Sequence, residues 1–213
     1  MGEVGRRPLS RRRILEAAVE LVDREGLGAL SMRKLGRELG VEAMSLYNHV
    51  PNKEALLGGM VEVLIEGLEI PAATSGGWEG KVREAFRSYL KLARAHPEVF
   101  QLFATRPLGT GEALRIFEVL RGAGLELVPA LQAFRALSSY TVGYALAEIR
   151  GFPLELEGGP RALELAPPLK EVDRDAQFDF GLDLIISGLR QKLDPDGAQG
   201  DPPRRSRRGP EHQ

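Results

Sequence analysis

Between Ser31 and Lys53 the chain reads SMRKLGRELGVEAMSLYNHVPNK, a spacing of apolar and capping residues that fits two short helices joined by a tight turn and little else. Ser31 is a good N-cap, because its hydroxyl can accept from an amide that the first turn leaves unpaired. Leu35 and Leu39 stand i and i+4 on one face, and Gly40 is placed to end the helix in a left-handed conformation. A second helix is predicted over roughly Ala43 to His49, with Leu46 and Val50 again i and i+4, packing back with Val41 onto the first. Ala43, Met44, Ser45, Tyr47, Asn48 and His49 are left facing outward. So few inward anchors, with small, hydroxyl, amide and aromatic groups outside, suit a recognition helix laid in a major groove of DNA. On spacing alone, a helical hairpin that never touches nucleic acid is an equal reading.

The segments on either side extend this unit. Residues 1–9 carry Arg6 and Arg7 without apolar periodicity and read as a flexible basic arm. Ser10 caps a helix running to Glu25, with Ile14, Ala18, Leu21 and Val22 inward and Gly26 as its stop. Arg11, Arg12 and Arg13 crowd its first turn, where the helix dipole disfavours cations unless an anion lies opposite. Phosphate contact is the better account, and a solvated charge run is the other. After Pro51, Asn52 caps a fourth helix from Lys53 to about Leu68, and Lys53 stands beside its N-terminal amides. Gly58 and Gly59 weaken that helix by about 1 kcal/mol each relative to alanine. Either a flex point or the close packing of a neighbouring helix explains them. Pro71 to Gly77 reads as a linker, so a DNA-binding unit over 10–70 is followed by a second domain over 71–193.

That second domain is helical in pattern throughout, making the chain all-α. Helices are predicted over Trp78–His96, Pro97–Ala104, Gly111–Gly122, Leu125–Arg150 and Asp173–Leu193, with a loop over Gly151–Lys170. Residues 194–213 lack apolar anchors and are expected to be disordered. The last two long helices carry stripes of apolar and small residues: Ala130, Leu131, Phe134, Leu137, Ser138, Thr141, Val142, Ala145 and Ile149, then Phe178, Gly181, Leu182, Ile185, Gly188 and Leu189. Small residues let another helix approach closely, so two such helices per chain can build a four-helix bundle between subunits, although an intrachain core has the same periodicity. A homodimer through these helices suits a short reading head, since a two-fold pair reads two half-sites.

Composition removes several alternatives. The chain has no cysteine, hence no disulfide, thiol nucleophile or cysteine-type metal site. The formal net charge is only −1, but the first 53 residues hold ten basic against seven acidic side chains, a basic head on an acidic body. His49, His96 and His212 are too scattered for a metal site, and neither a phosphate-binding glycine loop nor a nucleophile elbow is present, so no enzyme, metal or cofactor is expected. Neither a leader nor a membrane span is apparent, which implies a cytoplasmic protein without membrane contact.

The residues themselves carry a resemblance. Leu30-Ser31-Met32-Arg33-Lys34-Leu35, Leu39-Gly40-Val41, Leu46-Tyr47-Asn48-His49-Val50 and Asn52-Lys53-Glu54-Ala55-Leu56-Leu57 follow one another as in the DNA-binding domain of the tetracycline-repressor (TetR) family. Thr105-Arg106-Pro107, Tyr140-Thr141-Val142-Gly143 and Phe180 to Leu189 are similar to the C-terminal domain of the tetracycline repressors within it, so the likeness spans about nine-tenths of the chain. It implies a ligand-responsive regulator, a repressor released from a palindromic operator by a small molecule. The other reading is a helical ligand-binding or scaffold protein that retains the head. Carried over residue by residue, Arg33 reads a base edge, Ala43, Met44 and Tyr47 contact bases, and Ser31, Ser45, Asn48, His49 and Lys53 hold phosphates. Met44 replaces a proline, so operator sequence does not transfer. Leu102 stands where those repressors have a metal-binding histidine and Ala147 near their metal-linked acid; leucine cannot ligate magnesium, so a metal–tetracycline complex is not the expected inducer. The ligand site is expected among Phe86, Tyr89, Leu102, Phe103, Thr105, Arg106, Phe117, Phe134, Tyr140 and Tyr144, aromatic walls suited to an apolar or amphipathic small molecule. Arg106 either pairs an anionic ligand or caps the helix ending at Ala104.

Overall fold

Nine α-helices and no strands run through the residues that the computed structural model describes, 8–68, 76–104, 110–151 and 173–193. In the first of these stretches three of the four α-helices start on a side-chain cap. Helix α1 (Arg11–Glu25) begins where Ser10 Oγ accepts the Arg13 N–H at 3.3 Å, and it stops at Gly26, whose N–H closes on the Val22 carbonyl at 2.7 Å. A 3-10 turn over Leu27–Ala29, which the apolar pattern does not announce, leads to Ser31. Helix α2 (Met32–Leu39) is capped by Ser31 Oγ and ends at Gly40 with φ 68° and ψ 34°, the left-handed cap expected there. Helix α3 (Ala43–Tyr47) is two residues shorter than predicted. The amides of His49 and Val50 both turn back to the Leu46 carbonyl, tightening the last turn so that Asn48 and His49 leave the helix. Helix α4 (Lys53–Glu66) starts on Asn52 Oδ1, which accepts the Ala55 N–H at 2.8 Å.

These four helices share one apolar centre, in which Ile14, Leu21, Val22, Leu35, Leu46, Val50 and Leu56 are fully buried. Two glycines set the packing distances. A Cβ on Gly36 would lie 2.8 Å from the Val41 carbonyl and 3.2 Å from the Ala43 amide, so α2 can cross α3 this closely only with a bare backbone. A Cβ on Gly59 would lie 2.6 Å from Leu15 Cδ2, which identifies close packing of α1 on α4 as the reason for that glycine; Gly58 has open space beside it.

The second part comprises α5 (Gly77–Ala95), α6 (Pro97–Phe100), α7 (Thr110–Gly122), α8 (Leu127–Arg150) and α9 (Arg174–Leu193). The helix predicted over Pro97–Ala104 divides, its second half tightening into a 3-10 turn over Gln101–Ala104. Helix α5 packs on α7, α8 and α9, while α6 reaches α1 and α4 and so joins the two parts.

The two small-residue stripes assigned from sequence to a partner face are largely used inside the chain. Ala130, Leu137, Thr141 and Ala145 of α8 are buried, as are Phe178, Leu182 and Leu189 of α9. Gly181 lies under the Tyr140 ring, and a Cβ there would overlap its hydroxyl. Close approach, the property small residues confer, is spent on α8 against α9. The large apolar side chains left exposed on these helices are Leu127, Val128 and Leu131 with Phe180 and Leu184, of which Leu131 alone belonged to the expected stripes.

Candidate nucleic-acid interface and effector core

The head presents its outward residues from a rigid seat. With Leu46 fully buried and α3 held against Gly36, Met44 stands 72% exposed and Tyr47 41% exposed on the opposite side of a helix barely more than one turn long. Asn48 and His49 follow in the exposed turn, Arg33 is exposed in the first turn of α2, and Lys53 is exposed at the start of α4. Ala43 and Ser45 are half-buried, nearer the packed side than their outward assignment implied. Ser31 is exposed, and its hydroxyl accepts the Lys34 amide at 3.3 Å while keeping its O–H as a donor.

The arginines at the start of α1 are engaged within the chain. Arg11 donates to Glu62 at 2.8 Å, and Arg12 bonds Glu16 at 2.8 Å and Glu66 at 3.4 Å. The anions facing this helix N-terminus are carboxylates of α1 itself and of α4. Lys34 pairs with Glu25, whose carboxyl it holds below the ordinary range, and Arg24 reaches Glu38 at 3.1 Å.

In the second part, the expected ligand residues fall into separate groups. Tyr89 and Phe103 gather with Phe100, their rings 5.6 Å apart and Phe100 stacked on Phe103 at 4.7 Å. Phe86 and Leu102 are buried with them in the same apolar core. Burial raises the Tyr89 phenol well above its ordinary range, and its hydroxyl has no hydrogen-bond partner among the described residues. Phe117 and Phe134 are half-buried against that core. Tyr140 and Tyr144 lie instead around Phe178, at 5.4 Å and 5.2 Å, and spend their hydroxyls on α9, donating to the carbonyls of Phe178 at 2.9 Å and Arg174 at 2.7 Å. Burial and the neighbouring Tyr144 push the Tyr140 phenol up to about 12, so it remains a donor at neutral pH. Thr105 and Arg106 lie outside the described residues.

Two features escaped the sequence reading. Phe100 is fully buried at the centre of the aromatic group, and only its place in the apolar run of Pro97 to Ala104 hinted at it. The other is a ladder of ion pairs locking α9 onto α5. Arg83 reaches Asp183 at 2.6 Å, Arg87 grips Asp179 with bonds of 2.7 Å and 2.6 Å, and Glu79 holds Arg190. Arg94 completes it, bidentate to Glu148 on α8 at 2.9 Å and bonded to Asp175 at 2.6 Å. Asp175, Asp179 and Asp183 follow one another at intervals of four, as do Arg83 and Arg87, a signal visible in the sequence once the two helices are known to be neighbours.

Comparison with known proteins agrees with both halves. A family model described as bacterial regulatory proteins, tetR family, matches residues 14–60, and one described as tetracyclin repressor-like, C-terminal domain, matches 70–159 and 152–193. The HTH-type transcriptional repressor DrrR1 of Streptomyces coeruleorubidus is 35% identical over 221 residues, covering 88% of this chain and 82% of its own. Among solved structures, apo ActR from Streptomyces coelicolor superimposes with a TM-score of 0.76 at 31% identity, covering 89% of this chain and 98% of that one. The complex of ActR with actinorhodin gives 0.75 at 30% identity over 88% and 100% of the two chains.

Proposed function

The chain belongs to the tetR family of bacterial regulatory proteins, and from that premise we propose how this one works as a ligand-responsive transcriptional repressor. Two protomers associate through α8 and α9, burying Leu127, Val128, Leu131, Phe180 and Leu184 against the same residues of the partner. Their recognition helices enter successive major grooves of a palindromic operator. Arg33 reads a guanine edge through its bidentate fork; Met44 and Tyr47 contact bases, with Ala43 beside them; Ser31, Ser45, Asn48, His49 and Lys53 hold the backbone.

The observation that carries this reading is the exposure of Met44 and Tyr47 beside a fully buried Leu46. A side chain as apolar as Met44 stands in water on a helix too short to need it for folding, which fits a base-contacting role. A small molecule entering near Leu102, Phe103 and Tyr89 shifts α6 against α1 and α4 and moves the two heads out of groove register. The apolar Leu102 supports an apolar or amphipathic inducer that needs no magnesium. ActR, similar in fold, has been solved in complex with actinorhodin, and that precedent supports a small-molecule inducer of some kind here.

The test is a duplex selected from a random library with the intact protein. Arg33→Ala should weaken binding to the selected duplex by about 1–3 kcal/mol while leaving non-specific DNA binding nearly unchanged. An equal loss on both would remove its base-reading role.

A further inference from the structure

The corner between α5 and α6 is where the second part of the chain touches the first. His96 closes α5, its amide bonding to the Leu92 carbonyl at 3.0 Å, and Pro97 opens α6. From that corner the imidazole Nδ1 lies 2.7 Å from Asp23 Oδ2, across 73 residues of sequence, with about a quarter of each side chain still exposed. Asp23 stands in the last turns of α1, which packs on α2. On the other side, α6 runs directly into the turn carrying Leu102 and Phe103. The pair therefore spans the junction between the DNA-facing helices and the aromatic core.

We infer that His96 and Asp23 are positioning residues forming a proton-dependent tie, which fixes the seating of the head on the core and through it the operator affinity. As imidazolium, His96 donates to the carboxylate in a charge-assisted bond about twice as strong as a neutral one. Once the ring loses its proton the ion pair is gone, and the carboxylate accepts only the N–H of one neutral tautomer. The tie is therefore strongest while the imidazole carries its proton.

The other charged groups on the elements packed there are largely paired with one another. Arg24 on α1 is paired with Glu38, Arg94 on α5 with Glu148 and Asp175, and Glu62 and Glu66 on α4 with Arg11 and Arg12. Glu20 on α1 and Glu98 on α6 are further carboxylates on these elements. Among the described residues at this corner, His96 is the sole histidine.

The experiment compares the wild type with His96→Gln, Asp23→Asn and the double variant. Kd for a selected duplex is measured from about pH 5.5 to 8, within the histidine range. The ratio of variant to wild-type Kd should depart from one by about two- to fivefold at the acid end and close at the alkaline end, and the double variant should match either single. Taking the ratio cancels the titration of His49, which all four proteins share. A ratio independent of pH, or additive single effects, overturns the tie. The DNA arm rests on the regulator reading above; amide exchange does not. Corrected for intrinsic rates, exchange at the end of α1 and at the α5–α6 corner should quicken in both variants at low pH only. Failure to select any duplex while exchange behaves this way would count against the regulator reading and for the tie; unchanged exchange would sink the tie whatever the DNA does.

Discussion

The head and the core are both helical, yet they lean on different interactions: the head more on local caps, although Arg11–Glu62 and Arg12–Glu66 also join α1 to α4, and the core more on long-range ion pairs. In the head, α1, α2 and α4 each start on a side-chain cap from the residue before them, Ser10, Ser31 and Asn52, and each bond reaches only three residues along the chain. In the core, α5, α6 and α8 start without a side-chain cap, and α9 starts on Asp173. Their fixing bonds are long-range, with Arg94 to Glu148 spanning 54 residues and Glu79 to Arg190 spanning 111. A reading head must keep one shape on its own, so its helices are specified locally. A domain that passes a signal between helices is joined by pairs that can be rearranged helix by helix. Cap hydrogen bonds stabilise one element; cross-helix ion pairs stabilise a relationship between elements.

Four measurements bear on this contrast, taken from the largest expected effect. The largest effect is expected from Leu46→Ala, which empties a fully buried position under the recognition helix and should cost about 2–5 kcal/mol. If the head is self-contained, DNA binding disappears while calorimetry still shows a cooperative core transition; loss of both transitions would show that the two parts fold as one. Next comes Arg94→Met, which leaves Glu148 unpaired with 11% of its side chain exposed. After discounting for the exposure of Arg94, the cost should be about 1–2 kcal/mol. Amide exchange should quicken in α8 and α9 and stay unchanged in α2 and α3.

Ser31→Ala should cost about 1 kcal/mol, confined to α2, and Ser31→Gly much less, because glycine also serves as an N-cap. An equal loss for both would mean that the hydroxyl works through something other than the cap. The smallest effect concerns acid. Arg190 holds Glu79, and Arg87 holds Asp179, below the usual carboxylate range. Such depressed groups add stability above the unfolded-state value, about 4, and lose it as pH falls through their folded value. The core transition should therefore drop more steeply than the head transition below about pH 4, and added salt should flatten the difference.

Much of the head was legible in the sequence. Ser10, Ser31, Asn52 and Gly40 act where their positions predicted, because a cap or a left-handed stop depends on a handful of adjacent residues. The end of α3 was not legible, since nothing local separates a helix that continues through Asn48 from one that closes on the Leu46 carbonyl. Gly36 was equally silent: its need for a bare backbone exists only because α3 lies across it. In the core, the periodicity of α8 and α9 announced a buried face but could not say what would cover it. Tyr140 and Tyr144 had the composition of a ligand wall, and the fold uses their hydroxyls to hold α9.

By itself the sequence determined the all-α class, the helix-turn-helix with its caps, and the family, because each is written in residues a few positions apart whose conformational preferences act before any long-range contact forms. Only the tertiary structure decided that the α1 arginines pair with carboxylates of α1 and α4, that Gly181 belongs to Tyr140, and that His96 meets Asp23 across the domain junction. Those choices turn on which distant surfaces come within a few ångströms of one another. Periodicity fixes that a face is covered, and packing alone fixes its partner.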